Sequence, residues 1–92
     1  MKDKTQTVLV DVLFERRKQD EKWGEQNHDP AWYLAILGEE FGEACQAALQ
    51  TRFGGKHGGL LNLRNELIQT AAVAVAMVEC LDRGTWNKEG QP

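Results

Sequence analysis

The segment that most constrains the fold is residues 71–78, where eight consecutive residues are apolar. A helix that is apolar on every side is buried on every side in a folded protein. The chain has 92 residues, two prolines and long apolar runs, which predicts one small all-α domain. Because three helices cannot surround one of their own, we expect a helical bundle that is completed by oligomerisation.

Apolar residues at helical spacing, separated by glycine and proline breaks, predict three main helices. These are residues 5–22, 30–52 and 60–83, with residue 31 as an alternative start of the second. Asp29 and Pro30 supply an N-cap and a first-turn proline, and Gly84 a C-terminal cap. We expect a single domain over residues 1–92, with a core at about 5–84, a frayed start at 1–4 and a polar tail at 85–92.

Charge and hydropathy exclude several classes of partner. The net charge is -3 and the pI about 5.3, so the chain has no bulk attraction to nucleic acid or to an anionic membrane. It contains no apolar run of 18 residues and its first seven residues are mostly polar, which predicts a cytoplasmic protein. Cys45 and Cys80 both lie in apolar helical segments and are interpreted as reduced core thiols.

Glu39, Glu40 and Glu43 form an acidic cluster in the middle of the second helix. On a projection of about 100° per residue, Glu40 lies inside the apolar stripe, Glu43 at its margin and Glu39 on the polar side. A carboxylate on a buried stripe is unfavourable by several kcal/mol, roughly, unless it is paired, protonated or bound to a metal. Glu40 is therefore the residue whose position most needs an explanation.

Glu66 also emerges from an apolar face, one turn before Gln69. If the glycine-rich loop closes an antiparallel hairpin, both residues face Glu40 and Glu43. Facing carboxylates repel one another, and a hard divalent cation such as Mg²⁺ resolves that repulsion. The alternative is a surface or interface cluster that is partly protonated or paired with arginine, the candidates being Arg52, Arg64 and Arg83.

Three further features leave two interpretations each. Gly38 and Gly42, one turn apart, either allow a neighbouring helix to approach or are simply tolerated. Trp23 either packs back on the domain or offers a flat stacking surface for a ligand. His28 is interpreted as a loop hydrogen-bonding residue rather than a ligand or base.

The acidic spacing resembles a known enzyme family. Glu39-Glu40-x-x-Glu43, then a gap of 22 residues, then Glu66-x-x-Gln69 is similar to the EExxE…ExxD pattern of MazG-like nucleoside triphosphate pyrophosphohydrolases. Residues 17–28 and 64–76 look like a short branch of that group found in phages and bacteria. The resemblance spans about residues 14–83.

The resemblance implies an all-α bundle assembled as a homodimer or homotetramer. It implies Mg²⁺-dependent cleavage, with Mn²⁺ as an alternative cation, of a nucleoside triphosphate between the α and β phosphates, which yields the monophosphate and pyrophosphate. Carried over by position, the metal ligands are Glu40, Glu43, Glu66 and Gln69. Glu39 is then a catalytic residue, as a further ligand or by orienting the attacking water.

Gln69 departs from the family pattern, which has aspartate there. A glutamine offers a carbonyl oxygen but no charge, which leaves open a relative that binds nucleotides or metal with weakened turnover, or a purely structural helical assembly protein. Residue type and location suggest candidate phosphate contacts at Arg16, Lys22, Arg52 and Lys56. Trp23 is the candidate base-stacking residue.

Overall fold

The structure is a computed structural model that describes residues 3–84, and in this range it is all-α. The helices are α1 (Lys4–Trp23), α2 (Pro30–Phe53) and α3 (Leu60–Arg83). The predicted all-α bundle of three helices is confirmed, and each helix boundary lies within one residue of its predicted position. Its completion by oligomerisation stays a prediction. The predicted tail at residues 85–92 lies outside the described residues.

The predicted fraying is wrong for Asp3 and Lys4, because Asp3 caps α1. The Asp3 carboxylate accepts from the Gln6 backbone N–H at 2.8 Å, and the Gln6 side chain accepts from the Asp3 N–H at 3.1 Å. This reciprocal capping box satisfies backbone donors that a helix start otherwise leaves free. Met1 and Lys2 lie outside the described residues.

The other two predicted caps are confirmed. The Asp29 carboxylate accepts from the Trp32 N–H at 3.0 Å, and Pro30 follows it in the first turn of α2. Gly84 ends α3 in the left-handed conformation, with φ of 69°, which glycine adopts without a steric penalty.

The connector between α2 and α3 is tied to the end of α2. The Gln50 side chain accepts from the His57 N–H at 2.7 Å, and the Thr51 hydroxyl accepts from the Gly59 N–H at 2.9 Å. A Cβ at Gly58 would lie 2.6 Å from the Gln50 carbonyl oxygen. The glycine there allows the close approach that turns α3 back along α2.

Packing places α3 between the other two helices. It lies against both α1 and α2, while α1 and α2 scarcely touch each other. The core has small side chains and one aromatic ring, and its buried residues are Val12, Tyr33, Ala44, Ala47, Ala72, Val73, Ala76 and Cys80. The described part of the chain is 20 Å thick in its shortest dimension, about two helix diameters, so none of its three helices is enclosed.

One prediction about apolar positions is wrong, and one open alternative is decided. Cys45 is exposed and only Cys80 is a core thiol, because Cys45 lies on the side of α2 turned away from α3. A Cβ at Gly38 or Gly42 would meet nothing within 4 Å, so none of the helices described here approaches these glycines, and they are simply tolerated in α2. The apolar run on α3 is only partly covered, since Val75 and Val78 are 39% and 56% exposed. None of the three helices is long and apolar enough to cross a membrane.

Candidate metal centre and adjoining furrow

Glu40, Glu43 and Glu66 come together between α2 and α3. One carboxylate oxygen from each lies within 4.8 Å of the others. Glu40 and Glu43 are neighbours across one turn of α2, and the hairpin brings Glu66 opposite them. The predicted facing of Glu66 and the α2 pair is therefore confirmed.

Two of these carboxylates carry unsatisfied oxygens. Oε2 of Glu40 and Oε2 of Glu66 are buried and have no hydrogen-bond partner within residues 3–84. Buried polar atoms are normally paired, and leaving one unpaired costs free energy. A small cation that prefers oxygen ligands would satisfy both atoms at once.

Burial and mutual repulsion raise the pKa values of the same two groups. The pKa of Glu40 is raised first by burial and then by the charges of Glu43 and Glu66. The pKa of Glu66 is raised by burial and by the charge of Glu43, while His57 acts in the opposite direction. Without a cation, these carboxylates therefore hold protons more tightly than free glutamate does.

No arginine neutralises the cluster, because the three candidates are engaged elsewhere in residues 3–84. Arg64 forms an ion pair with Asp11 at 2.6 Å. Arg83 forms an ion pair with Glu25 at 3.4 Å, and Arg52 lies over the Phe53 ring at 4.9 Å. Pairing of the cluster with one of these arginines is therefore not seen within residues 3–84, and pairing across a subunit interface stays a prediction. Partial protonation agrees with the raised pKa values of Glu40 and Glu66.

A furrow adjoins the acidic cluster because α1 and α2 diverge above α3. It encloses a cavity of about 430 Å³. Tyr33, Ile36, Val73 and Ala76 provide its apolar surface, and Glu40 lines it as well. The furrow is thus a partly apolar cavity with a carboxylate of the acidic cluster at its edge.

Arg16 forms part of the furrow wall on α1. Its guanidinium donates to Glu79 at 2.5 Å and to Asp20 at 3.0 Å, and its side chain is only 11% exposed. Burial by itself lowers the pKa of Arg16, but the hydrogen bonds to Glu79 and Asp20 raise it, and the net shift is upward. Arg16 is therefore a fixed positive charge that links α1 to α3.

Arg83 and Cys80 fasten the α1–α2 loop across one end of the furrow. Arg83 donates to Asn27 Oδ1 at 2.9 and 3.1 Å and to the Gln26 carbonyl at 3.1 Å. The Cys80 thiol lies 3.6 Å from the His28 carbonyl, and the His28 ring meets Tyr33 edge-on at 5.0 Å. These contacts hold the loop that carries the furrow's end wall.

The remaining predicted site residues lie in different places. Arg16 and Trp23 line the furrow, and Trp23 is 61% exposed, with Lys22 4.8 Å from its ring centre.

Glu39 is exposed on the outer side of α2, as the projection predicts. Three basic residues do not line the furrow, and their substrate contacts stay predictions: Lys22, Arg52 and Lys56. Gln69 is half-buried one turn after Glu66, and its role as a ligand also stays a prediction.

Sequence reasoning missed residues that only the fold brings near the cluster. Glu15, on α1, is close enough for its charge to raise the pKa of Glu40, and His57 lowers the pKa of Glu66. Glu79 lines the furrow from α3. Glu15 begins the polar run of residues 15–22 that follows Phe14 on α1, and such a run does not by itself distinguish solvent-facing from site-facing positions.

Comparisons of the chain with protein family models, curated proteins and solved structures found no match. The acidic cluster, the furrow and the sequence resemblance are therefore the features that bear on function.

Proposed function

We propose that the protein is a Mg²⁺-dependent nucleoside triphosphate pyrophosphohydrolase. The observation that carries the proposal is the convergence of Glu40, Glu43 and Glu66, with two buried carboxylate oxygens left without partners. The resemblance to MazG-like enzymes implies metal ligands at these three positions and at Gln69. A cytoplasmic location, where nucleoside triphosphates and Mg²⁺ are abundant, belongs to this proposal.

The three carboxylates fit a hard divalent cation. They supply oxygen ligands from two helices that pack against each other, and oxygen is the donor type that Mg²⁺ and Mn²⁺ prefer. A bound cation would neutralise phosphate charge and lower the pKa of a coordinated water. Glu39, next to the cluster but exposed, is proposed to orient the attacking water.

The furrow is proposed to take the nucleoside. Its volume of about 430 Å³ falls in the range of roughly 300–1,000 Å³ that is usual for small-molecule sites. Because Glu40 lies at its edge, a nucleotide could place its phosphates at the acidic cluster and its base between the apolar walls. The exposed ring of Trp23 offers a stacking surface there.

A panel of nucleotides tests this proposal. The protein is incubated with each ribo- and deoxyribonucleoside triphosphate and Mg²⁺, and pyrophosphate and the nucleoside monophosphate are identified as products. We expect release with at least one nucleotide and its loss in Glu40→Gln. Glu21→Gln is the matched control, since Glu21 is exposed on α1 and does not line the furrow. No product with any nucleotide at high enzyme concentration would contradict the proposal.

A second candidate function, nucleotide binding with weak turnover, is favoured by one specific residue. Gln69 stands one turn after Glu66 without a negative charge, so the site has one fewer anionic ligand than the family pattern. This candidate predicts that nucleotides with Mg²⁺ stabilise the protein without product formation. A Gln69→Asp variant that gains pyrophosphate release over an inactive wild type would favour it.

A further inference from the structure

We propose that the furrow recognises guanine, and that Arg16 and Glu79 at its far end are the residues that select this base. This assignment rests on the proposed function, because it names the substrate of the same site as the triphosphate of guanosine or deoxyguanosine. The two selecting residues lie outside the acidic cluster, so base selection and phosphate chemistry can be measured separately.

The far end of the furrow lies at a distance from the acidic cluster that suits a nucleotide. Tyr33 precedes Glu40 by seven residues on α2, which corresponds to about 10 Å along the helix axis. Tyr33 belongs to one packed cluster with Ala76 and Cys80 of α3, and Glu79 lines the furrow next to them in the chain. A nucleotide whose phosphates lie at Glu40 therefore brings its base to the level of Tyr33 and Glu79.

Charged side chains act on the hydroxyl group of Tyr33 at this end of the furrow. Burial is the largest cause that raises the pKa of Tyr33, followed by the charge of Cys80, and three further charges contribute: Arg16, Arg83 and Glu79. Because such effects weaken with distance, these side chains lie near the hydroxyl group. The furrow thus combines apolar walls with a polar end, which is the usual composition of a small-molecule site.

Arg16 keeps one N–H donor without a partner. Its Nη1 donates to Gln19 at 3.3 Å, and its Nη2 donates to Asp20 and Glu79. Its Nε is buried and has no hydrogen-bond partner within residues 3–84. A guanidinium only donates, and a buried donor left unpaired costs free energy. An acceptor atom of a ligand in the furrow would satisfy this N–H group.

Glu79 supplies an acceptor beside that donor. Its Oε1 accepts from Nη2 of Arg16 at 2.5 Å, and Nη2 and Nε belong to the same planar guanidinium. The Nε–H group therefore lies close to the Glu79 carboxylate. The Glu79 side chain is 44% exposed, and a carboxylate accepts several hydrogen bonds. The far end of the furrow thus presents one N–H donor next to a carboxylate.

Guanine is the base whose edge fits this pair of groups. Its O6 accepts a hydrogen bond, and the adjacent N1–H and 2-amino groups both donate, so one base can satisfy the guanidinium and the carboxylate together. Uracil and thymine carry a second carbonyl oxygen where guanine has the 2-amino group, and a carboxylate repels that oxygen. Adenine and cytosine have an unprotonated ring nitrogen at the centre of the same edge, which a carboxylate also repels.

Binding of uncleavable nucleotides tests the base assignment without requiring turnover. The wild-type protein is titrated calorimetrically in Mg²⁺ with the α,β-methylene triphosphates of guanosine, inosine, adenosine, cytidine and uridine. We expect the guanosine analogue to bind about 100-fold more tightly than the adenosine, cytidine and uridine analogues. The inosine analogue lacks only the 2-amino group and should bind about 10-fold more weakly than the guanosine analogue.

Glu79→Gln tests the carboxylate. The amide keeps an oxygen for Arg16, but it replaces the other acceptor with a donor that opposes the N–H groups of guanine. The preference for the guanosine over the adenosine analogue should fall from about 100-fold to below about 5-fold. Asp82→Asn is the matched control, since Asp82 is exposed on the same helix and does not line the furrow. Circular dichroism checks that both variants keep their helices.

The outcomes separate base selection from catalysis. Equal affinity of the wild type for the guanosine and adenosine analogues would overturn the assignment of guanine, even if pyrophosphate is released from every triphosphate. Selective binding of the guanosine analogue without cleavage of any triphosphate would support guanine recognition and contradict the enzymatic proposal. A guanine preference that Glu79→Gln retains in full would overturn Glu79 as a selecting residue.

Discussion

The two sides of the α2–α3 hairpin are incomplete in opposite ways. The furrow side presents Glu40 and Glu66 oxygens that are buried without partners, next to a cavity of about 430 Å³. The opposite side of the hairpin exposes Leu34, Phe41 and Leu67 by half or more, and we call these three residues the open face. One side therefore lacks positive charge, and the other lacks apolar cover.

This difference predicts different responses to solution conditions. On the furrow side, neutralisation of the Glu40 and Glu66 carboxylates depends on pH and on divalent cations. Apolar cover of the open face depends on the concentration of the chain and is insensitive to pH. Measurements that vary pH, divalent cation or protein concentration one at a time can therefore distinguish the contributions of the two sides.

The largest expected effect is on catalysis at the furrow side. Glu40→Gln should lower pyrophosphate release by about 10³-fold, or roughly 4 kcal/mol in transition-state stabilisation, since a charged ligand at a developing charge is lost. Steady-state kinetics with the preferred nucleotide measure it, with Glu21→Gln as control. Equal activity of wild type and Glu40→Gln would show that the acidic cluster takes no part in the reaction.

Cation binding should stabilise the folded protein next most strongly. At a Mg²⁺ concentration of 100 times Kd, the free energy of unfolding should rise by about 2.7 kcal/mol. The effect should shrink as pH falls, because Glu40 and Glu66 have raised pKa values and must release protons to bind a cation. Thermal unfolding with and without Mg²⁺ at several pH values measures it. A Mg²⁺ effect that Glu40→Gln retains in full would place the cation elsewhere.

Protein concentration should report on the open face. If folding is coupled to dimerisation, each tenfold rise in concentration stabilises the folded state by about 1.4 kcal/mol. Leu67→Arg should abolish this dependence, and Leu61→Arg should keep it. Urea unfolding at two concentrations measures both. A dependence that varies with Mg²⁺ but not with Leu67→Arg would assign assembly to the furrow side.

The smallest expected effect is on metal-free stability. In EDTA at neutral pH, Glu40→Gln should stabilise the protein by about 1 kcal/mol, because it removes an uncompensated charge from a half-buried position. The raised pKa of Glu40 means that its stabilising contribution is complete below the unfolded value of 4.5 and is lost as pH rises through the folded value. The gain should therefore vanish in acid.

The same variant separates the enzyme from a purely structural assembly protein. Under the assembly interpretation, Glu40→Gln is stabilising whether or not Mg²⁺ is present. Under the metal-centre interpretation, the gain seen in EDTA becomes a loss when Mg²⁺ is added. Urea unfolding of wild type and variant in both conditions distinguishes them.

Local sequence patterns were sufficient to predict where the helices begin and end. Asp29-Pro30 and Gly84 encode their caps in adjacent residues, so their positions follow from short-range geometry. The positions of Glu40 and Glu66 on apolar stripes also follow from helical periodicity. Periodicity does not show which apolar face another helix covers. Cys45 is the example, because its segment is apolar and yet none of the described helices packs over it.

By itself, the sequence determined three helices, a hairpin closed by a glycine-rich loop, and carboxylates on the inner faces of α2 and α3. The tertiary structure decided that α1 diverges from α2, which opens the furrow, brings Glu15 towards Glu40 and fixes Arg16 against Glu79. It also decided that the opposite side of the hairpin stays uncovered. The physical reason is that helix formation depends on residues a few positions apart, whereas the placement of α1 depends on side-chain packing between segments distant in sequence.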